Sequence, residues 1–175
     1  MGSRAQRFTR TAAEVNMTAF EKAKIWFETA SMEGYDGHDS MLPTHLTLLS
    51  ADSSPTPSHP HHSTSVFSLT IPSTLCNMSG TLHGGAVALI FDICTSVSIS
   101  AVARPGFWDA GHVSRTLNCT YLRPAKEGET VLVESEVVHL GKRMGVVKGT
   151  IRGVDDGKVY YTCEHGKACL QAPRL

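Results

Sequence analysis

The feature that most constrains the fold is a mostly apolar run over residues 86–103, which follows two glycines and contains one acidic residue, Asp92. The run is too long for a typical strand, so it predicts a buried helix. Glycine weakens a helix, and an unpaired carboxylate in apolar surroundings costs free energy. Helix formation alone therefore does not explain why the stretch SGTLHGGAVALIFD (79–92) contains these glycines and this aspartate.

Strand patterns flank this helix on both sides. Two strands are predicted before it and four after it, over 44–51, 63–72, 111–123, 128–141, 142–154 and 159–170. Short turns, including DDGK, join the last three strands and predict an antiparallel meander. Apolar residues at helical spacing predict a further amphipathic helix over 12–31. Because a lone sheet cannot bury its apolar face, we expect an α+β fold with an antiparallel sheet wrapped around the long central helix.

Composition excludes several classes of protein. The chain has 16 basic and 16 acidic residues, and this zero net charge argues against nucleic acid as a partner. No uninterrupted apolar run reaches the about 18 residues of a membrane span. The five cysteines are odd in number and lie in apolar surroundings, which predicts reduced thiols in an intracellular protein.

The chain ends give weak signals of location. Arg4, Arg7 and Arg10 precede any acidic residue, which resembles a mitochondrial presequence, although a frayed basic terminus explains them equally well. The final Pro-Arg-Leu is a distant relative of the peroxisomal tripeptide. Mitochondrion and cytoplasm are the expected compartments, with the peroxisome as a further option.

Two motifs carry a family resemblance. NMSGTLHGGAVALIFD (77–92), followed by SRTLNCTYLRPAKEGE (114–129), resembles the hotdog-fold acyl-CoA thioesterases of the phenylacetate-pathway and mitochondrial medium- and long-chain types. The resemblance implies a hotdog domain over 44–172 after an N-terminal extension and helix over 1–43. It also implies hydrolysis of a fatty or aryl acyl-CoA to the free acid and CoA. No cofactor is expected, because CoA is part of the substrate.

The residues themselves fit that chemistry. Thioester hydrolysis needs a polarised carbonyl, a positioned water and an acceptor for the proton of that water. The backbone N–H of Gly84, at the positive end of the helix, can polarise the carbonyl, and Gly85 lets the chain bend into the helix. Asp92 can accept the proton. The alternative for Asp92 is a satisfied structural carboxylate.

Spacing predicts a shared site. Gly84 and Asp92 are eight residues apart, or about 12 Å along a helix. One helix cannot bring both to one reacting centre, but two adjacent helices from two subunits can. We therefore expect a homodimer, or a tetramer made of two dimers, with the site across the dimer interface.

Three polar residues near these motifs are further candidates. Asn77 can donate a second hydrogen bond to the carbonyl, or it can cap its loop. His83 can contact Asn77 or the leaving sulfur, or hold the turn. The resemblance matches Ser114 to a residue that orients the water with the aspartate.

Strand alternation places Ser114 with Thr116 and Asn118 on one face of its strand, opposite Leu117 and Cys119. Plain solvent exposure is the alternative explanation for this polar face.

Binding of the CoA phosphates predicts basic residues around the site. The candidates at strand ends are Arg123, Lys126, Lys142 and Arg143, each of which is otherwise solvated surface charge. His59, His61 and His62 suggest a metal, but no carboxylate or cysteine pair accompanies them, so no metal site is predicted.

Two other functions stay open. A non-catalytic acyl-CoA-binding hotdog protein, acting as a sensor or partner subunit, would need neither base nor water. A hotdog hydratase would pair a histidine with the acid at another spacing.

Overall fold

A computed structural model describes residues 16–29 and 35–170 of the chain. Its helices are α1 (Ala19–Thr29) and α2 (Gly84–Ser100). Its six strands are β1 (Leu46–Ser53), β2 (Ser63–Thr70), β3 (His112–Tyr121), β4 (Thr130–Leu140), β5 (Met144–Gly153) and β6 (Val159–Cys169). The predicted α+β class, the long helix and all six strands are confirmed.

The strands form one antiparallel sheet in the order β1-β2-β4-β5-β6-β3. The predicted meander is β4-β5-β6, and Gly157 in the turn before β6 has a φ of 64°, which favours glycine. Within the part of the chain that the structure describes, β3 pairs only with β6 and forms an edge of the sheet. One side of β3 therefore presents unpaired backbone groups.

Helix α2 lies against the sheet and forms the centre of the core. Its Ile90, Phe91 and Val97 are fully buried, as is Phe67 on β2. At Gly149 of β5 an added Cβ would lie 2.7 Å from the Phe91 ring, so glycine lets the helix approach the sheet closely. The apolar run is thus buried as predicted.

The long helix begins at Gly84, two residues before the predicted apolar run. His83 precedes it in an extended conformation, and its Nδ1 accepts the Gly85 N–H at 3.0 Å. This side-chain cap satisfies one of the donors that every helix start leaves without an intrahelical partner. The cap fixes where the helix starts, and hence where Gly84 lies.

α1 packs on both α2 and β1, and its Phe27 ring meets Phe67 edge-on at 5.0 Å. The predicted boundary between residues 43 and 44 stays a prediction. Arg4, Arg7 and Arg10 and the terminal Pro-Arg-Leu lie outside the described residues, so the expected compartments also stay predictions. No helix in the described ranges is long and apolar enough to cross a membrane.

Candidate active site

The start of α2 leaves backbone donors without a partner within the described residues. Gly85 donates its N–H to His83, whereas the Gly84 N–H forms no hydrogen bond within the described residues. The Tyr121 hydroxyl, at the end of β3, donates to the Gly84 carbonyl at 2.9 Å. This hydrogen bond ties the start of the helix to the edge strand. Gly84 thus offers an N–H at the positive helix end to an incoming acceptor.

Asn77 lies beside Gly84 but uses its side chain within its own loop. Its Oδ1 accepts the Ser79 N–H at 2.9 Å, and its Nδ2 donates to Thr81 Oγ1 at 3.0 Å. These contacts match the loop-capping alternative. Asn77 and Gly84 nevertheless line one open cleft of about 340 Å³, together with Tyr121 and Arg123. The Nδ2 amide carries a second N–H, for which the described residues provide no acceptor.

Asp92 lies two turns further along α2, and its side chain is 41% exposed. Its Oδ1 accepts the Ser114 hydroxyl at 2.7 Å and the Lys167 ammonium at 3.5 Å. His165 Nε2 also lies 3.5 Å from Oδ1, without the geometry of a hydrogen bond. Within the described ranges Oδ2 takes no partner. One carboxylate oxygen is therefore anchored, and the other can act as a base.

A bulge in β3 brings Ser114 to Asp92. Ser114 pairs with Lys167 of β6, but Thr116 pairs with the adjacent Gly166, so the register shifts by one residue between them. The shift turns Ser114 to the helix side, where Leu117 packs on the core. The prediction that Ser114 shares a face with Thr116 and lies opposite Leu117 is wrong, because alternation fails across a bulge.

Three basic groups that were not among the predicted site residues surround Asp92. Lys167 is 2% exposed and His165 is 0% exposed, both on the inner face of β6. His112 begins β3, and its buried ring nitrogens make no hydrogen bond of normal geometry within the described residues. The sequence did contain a signal for two of them. Tyr161 and Cys163 are the apolar residues of an alternating strand pattern, and this pattern places positions 165 and 167 on the same inward face of β6.

Burial changes the protonation of these groups. Burial, followed by the Lys167 charge, lowers the pKa of His165 to about 4, and the same two causes lower the pKa of His112 to about 3. Both imidazoles are therefore neutral near pH 7. Burial also lowers the pKa of Lys167, although the Asp92 carboxylate opposes that effect. The ion pair at this site is Lys167 with Asp92.

The four predicted basic residues do not form one group within the chain. Arg123 and Lys126 follow β3 at the Gly84 end of the sheet, where Arg123 donates to the Val159 carbonyl at 2.8 Å. Lys142 and Arg143 form the β4–β5 turn at the other end. There they line a cavity of about 750 Å³. Residues that follow successive strands of an antiparallel sheet can thus lie at opposite ends of that sheet.

The histidines of the loop before β2 face different neighbours. His59 Nδ1 contacts the Ser58 hydroxyl at 3.0 Å, and His62 Nε2 lies 3.3 Å from Glu136. The His61 ring packs on Phe107 at 4.3 Å. Across the described ranges, no three side chains of the metal-binding types are grouped to hold an ion.

Comparisons with known proteins match this architecture. The Thioesterase superfamily family model matches residues 79–160, which include Gly84, Asp92 and Ser114. The structure of zebra fish thioesterase superfamily member 2 superposes with a TM-score of 0.70 at 23% identity, over 89% of this chain and 100% of that one. The Escherichia coli PaaI protein of the phenylacetic acid degradation operon gives a TM-score of 0.66 at 19% identity, over 89% and 98%.

The chain has the hotdog fold. Its predicted resemblance to the hotdog-fold thioesterases is confirmed. Human acyl-coenzyme A thioesterase 13 is 31% identical over 91 residues, which are 52% of this chain and 62% of that protein. The chain therefore matches less than two thirds of the length of this relative.

Proposed function

We propose that the protein is an acyl-CoA thioesterase that hydrolyses a fatty or aryl acyl-CoA to the free acid and CoA. The observation that carries the proposal is the state of Asp92. Its Oδ1 is anchored by Ser114 and Lys167, while its Oδ2 has no partner among the described residues and the side chain is partly exposed. A carboxylate oriented in this way on a largely buried helix has the properties of a general base. The name of the human relative, acyl-coenzyme A thioesterase 13, supports the substrate class.

The proposed reaction uses backbone and side-chain groups of the protein. The Gly84 N–H donates to the thioester oxygen and stabilises the negative charge that develops there. Asp92 Oδ2 accepts a proton from water as the water oxygen bonds to the carbonyl carbon. The carbon–sulfur bond then breaks, and CoA leaves as a thiolate. The proton held by Asp92 passes to the thiolate or to solvent, which restores the carboxylate.

The site is shared by two subunits in this proposal. Gly84 and Asp92 lie on one helix, eight residues and about 12 Å apart, so they cannot meet at one carbonyl within a chain. The edge strand β3 offers the means to join two copies. We call Asp92 with its neighbours and Gly84 with its neighbours the two half-sites. In β3, Ser114 donates to Asp92 of one half-site and Tyr121 donates to the Gly84 carbonyl of the other.

Antiparallel pairing of β3 with its copy would join unlike half-sites. A two-fold axis between Leu117 and Asn118 would set Ser114 of one subunit opposite Tyr121 of the other. Each Asp92 would then face the Gly84 of the other subunit. A dimer of this kind, alone or doubled into a tetramer, would hold two equivalent sites.

The same pairing would reunite the basic residues. It would bring Arg123 and Lys126 of one subunit, at its Gly84 end, towards Lys142 and Arg143 of the other, at its Asp92 end. These four side chains are then candidates for binding the phosphates of CoA, as charged donors in proteins often do.

A turnover assay tests the proposal directly. Purified protein is given straight-chain acyl-CoAs of increasing length and an aryl acyl-CoA, and the free thiol is measured over time. The proposal requires multiple turnovers with at least one ester. The alternative is a non-catalytic acyl-CoA-binding protein, which would need neither a base nor a positioned water. That alternative is supported if esters bind tightly but release no thiol.

Subunit mixing tests the shared site. Asp92→Asn disables one half-site and Gly84→Phe blocks the other, so neither variant alone should be active. After subunit exchange about half of the dimers are mixed, and each holds one intact site, so about a quarter of wild-type activity should return. Each variant mixed with itself is the control. No rescue in a mixture shown to exchange would mean that each site is built from one chain.

A further inference from the structure

Lys167 is the most completely buried charged side chain at the site, and it is absent from the matched segment 79–160. Its ammonium donates to Ser96 Oγ at 2.8 Å, to Ser114 Oγ at 3.1 Å and to Asp92 Oδ1 at 3.5 Å. An ammonium has three donors and no acceptor, so these contacts use all of its protons. A buried lysine is costly, and this one is positioned entirely by polar groups around Asp92.

These contacts set the direction of the hydrogen bonds at the site. Because Ser114 Oγ accepts from Lys167, its own proton is available to Asp92, to which it donates at 2.7 Å. Ser96 Oγ also accepts from Lys167 and donates to the backbone carbonyl of Asp92. Lys167 thereby connects to the carboxylate directly, through Ser114, and through the helix backbone. All three connections hold Oδ1 or the main chain and leave Oδ2 unused.

We propose that Lys167 is a positioning residue that orients Ser114 and Asp92 so that only Oδ2 of the carboxylate is presented to water. This proposal rests on the proposed thioesterase function and adds a member to its machinery. Lys167 contacts neither Gly84 nor the cleft beside it, so it acts through Asp92 and Ser114. It should therefore affect the rate of the chemical step more than substrate binding.

Protonated Lys167 is the required form. The groups that face it are Asp92 from α2, His165 from its own strand and His112 from β3. The two histidines are neutral above about pH 6, so Asp92 is the one charged neighbour among them. Burial lowers the pKa of Lys167 below the ordinary value of lysine, and loss of its proton should release Ser114. Activity should then decline on the alkaline side, at a lower pH than an ordinary lysine would give.

The test compares four proteins in one acyl-CoA hydrolysis assay: wild type, Asp92→Asn, Ser114→Ala and Lys167→Met. Lys167→Met keeps the length and removes the charge. We expect kcat to fall about 10- to 100-fold, less than the full contribution of a general base, with KM within about threefold of wild type. The alkaline decline of wild type should be absent from this variant. Lys148→Met, on an exposed position of β5, is the matched control and should behave as wild type.

A double variant separates positioning from mere stabilisation. If Lys167 acts through Ser114, Lys167→Met combined with Ser114→Ala should cost clearly less than the product of the two single effects. If Lys167→Met does not fold, Ser96→Ala replaces it, because alanine favours the helix and removes one acceptor of the ammonium. That variant should lose kcat several-fold and shift the alkaline decline to lower pH.

Three results would overturn the role of Lys167: a wild-type kcat in a folded Lys167→Met, an unchanged alkaline decline in that variant, or independent effects in the double variant. In each case wild type still turns over and Asp92→Asn does not, so the thioesterase function itself stands. Absence of turnover in wild type with every ester would instead overturn both proposals.

Discussion

Replacing Gly84 by alanine and by proline separates the backbone donor from the space around it. Alanine keeps the N–H and adds a methyl group, which would lie 3.5 Å from the Tyr121 ring in ordinary contact. Proline removes the N–H. The structure allows this change, because Gly84 is the first residue of α2 and its N–H has no partner within the described residues. His83, with φ −65° and ψ 136°, already has the conformation that a following proline requires.

The two variants should therefore fold alike and differ in rate. Neither loses an internal hydrogen bond, so we expect melting temperatures within a few degrees of wild type. Loss of one oxyanion donor costs about 10²- to 10³-fold in kcat, or about 2.7–4 kcal/mol of transition-state stabilisation. Gly84→Pro should reach this range. Gly84→Ala should lose less, since its donor remains and the methyl group only crowds the cleft.

The assay measures kcat for both variants with the acyl-CoA that wild type hydrolyses fastest, after thermal melting has shown equal folding. Binding of the same ester is measured separately, so that a blocked cleft is not mistaken for a lost donor. A folded proline variant with the wild-type rate would remove Gly84 from the mechanism. The two glycines would then serve only to turn the chain into a buried helix.

Three further changes test other parts of the site. Asp92→Asn should lower kcat by about 10² or more while ester binding survives, because Asn keeps the size but cannot act as a base. The control Glu164→Gln, on the exposed face of β6, should leave kcat unchanged. A near-normal rate for Asp92→Asn would contradict the base role. Tyr121→Phe removes the hydrogen bond to the Gly84 carbonyl, worth about 1 kcal/mol, so kcat/KM should fall about fivefold; no change would mean that this bond does not position Gly84. His165 stays neutral in the folded protein down to about pH 4, whereas an unfolded histidine gains its proton near pH 6.5. Between these two pH values the unfolded state therefore binds more protons than the folded state. The free energy of unfolding should decline as the pH falls through this range. This loss should be on the order of 3 kcal/mol in denaturant titrations and clearly smaller in His165→Gln; equal slopes would show that another group causes it.

Local patterns were sufficient for the elements of the fold. Length separated the buried helix from the strands, and the short turns after β4 and β5 required an antiparallel meander. The Gly84–Asp92 separation was also fixed by the chain alone, because the rise of a helix is constant. These properties depend on residues that are neighbours in sequence, and sequence periodicity reports them directly.

The surroundings of Asp92 depended on the tertiary structure. Ser114 reaches it only because the β3–β6 register shifts by one residue, and a bulge leaves no periodic signal in the sequence. Lys167 and His165 come from a strand about 75 residues away in sequence. Their polar side chains predict an exposed position, and only the packing of β6 against α2 shows that they are buried. The polarity of a side chain in the sequence does not show that the fold will bury it beside a charged partner on another element.

The Gly84 half-site shows the same division. The sequence placed a glycine N–H at the helix start, and among the described residues no group accepts it, while His83 accepts the neighbouring Gly85 N–H. Whether Asn77 donates to the carbonyl was open in the sequence, and the folded chain shows that one of its amide donors bonds Thr81 in its own loop. Backbone donors follow from secondary structure alone. Side-chain donors choose among several nearby acceptors, and only the folded chain determines which acceptor lies within reach.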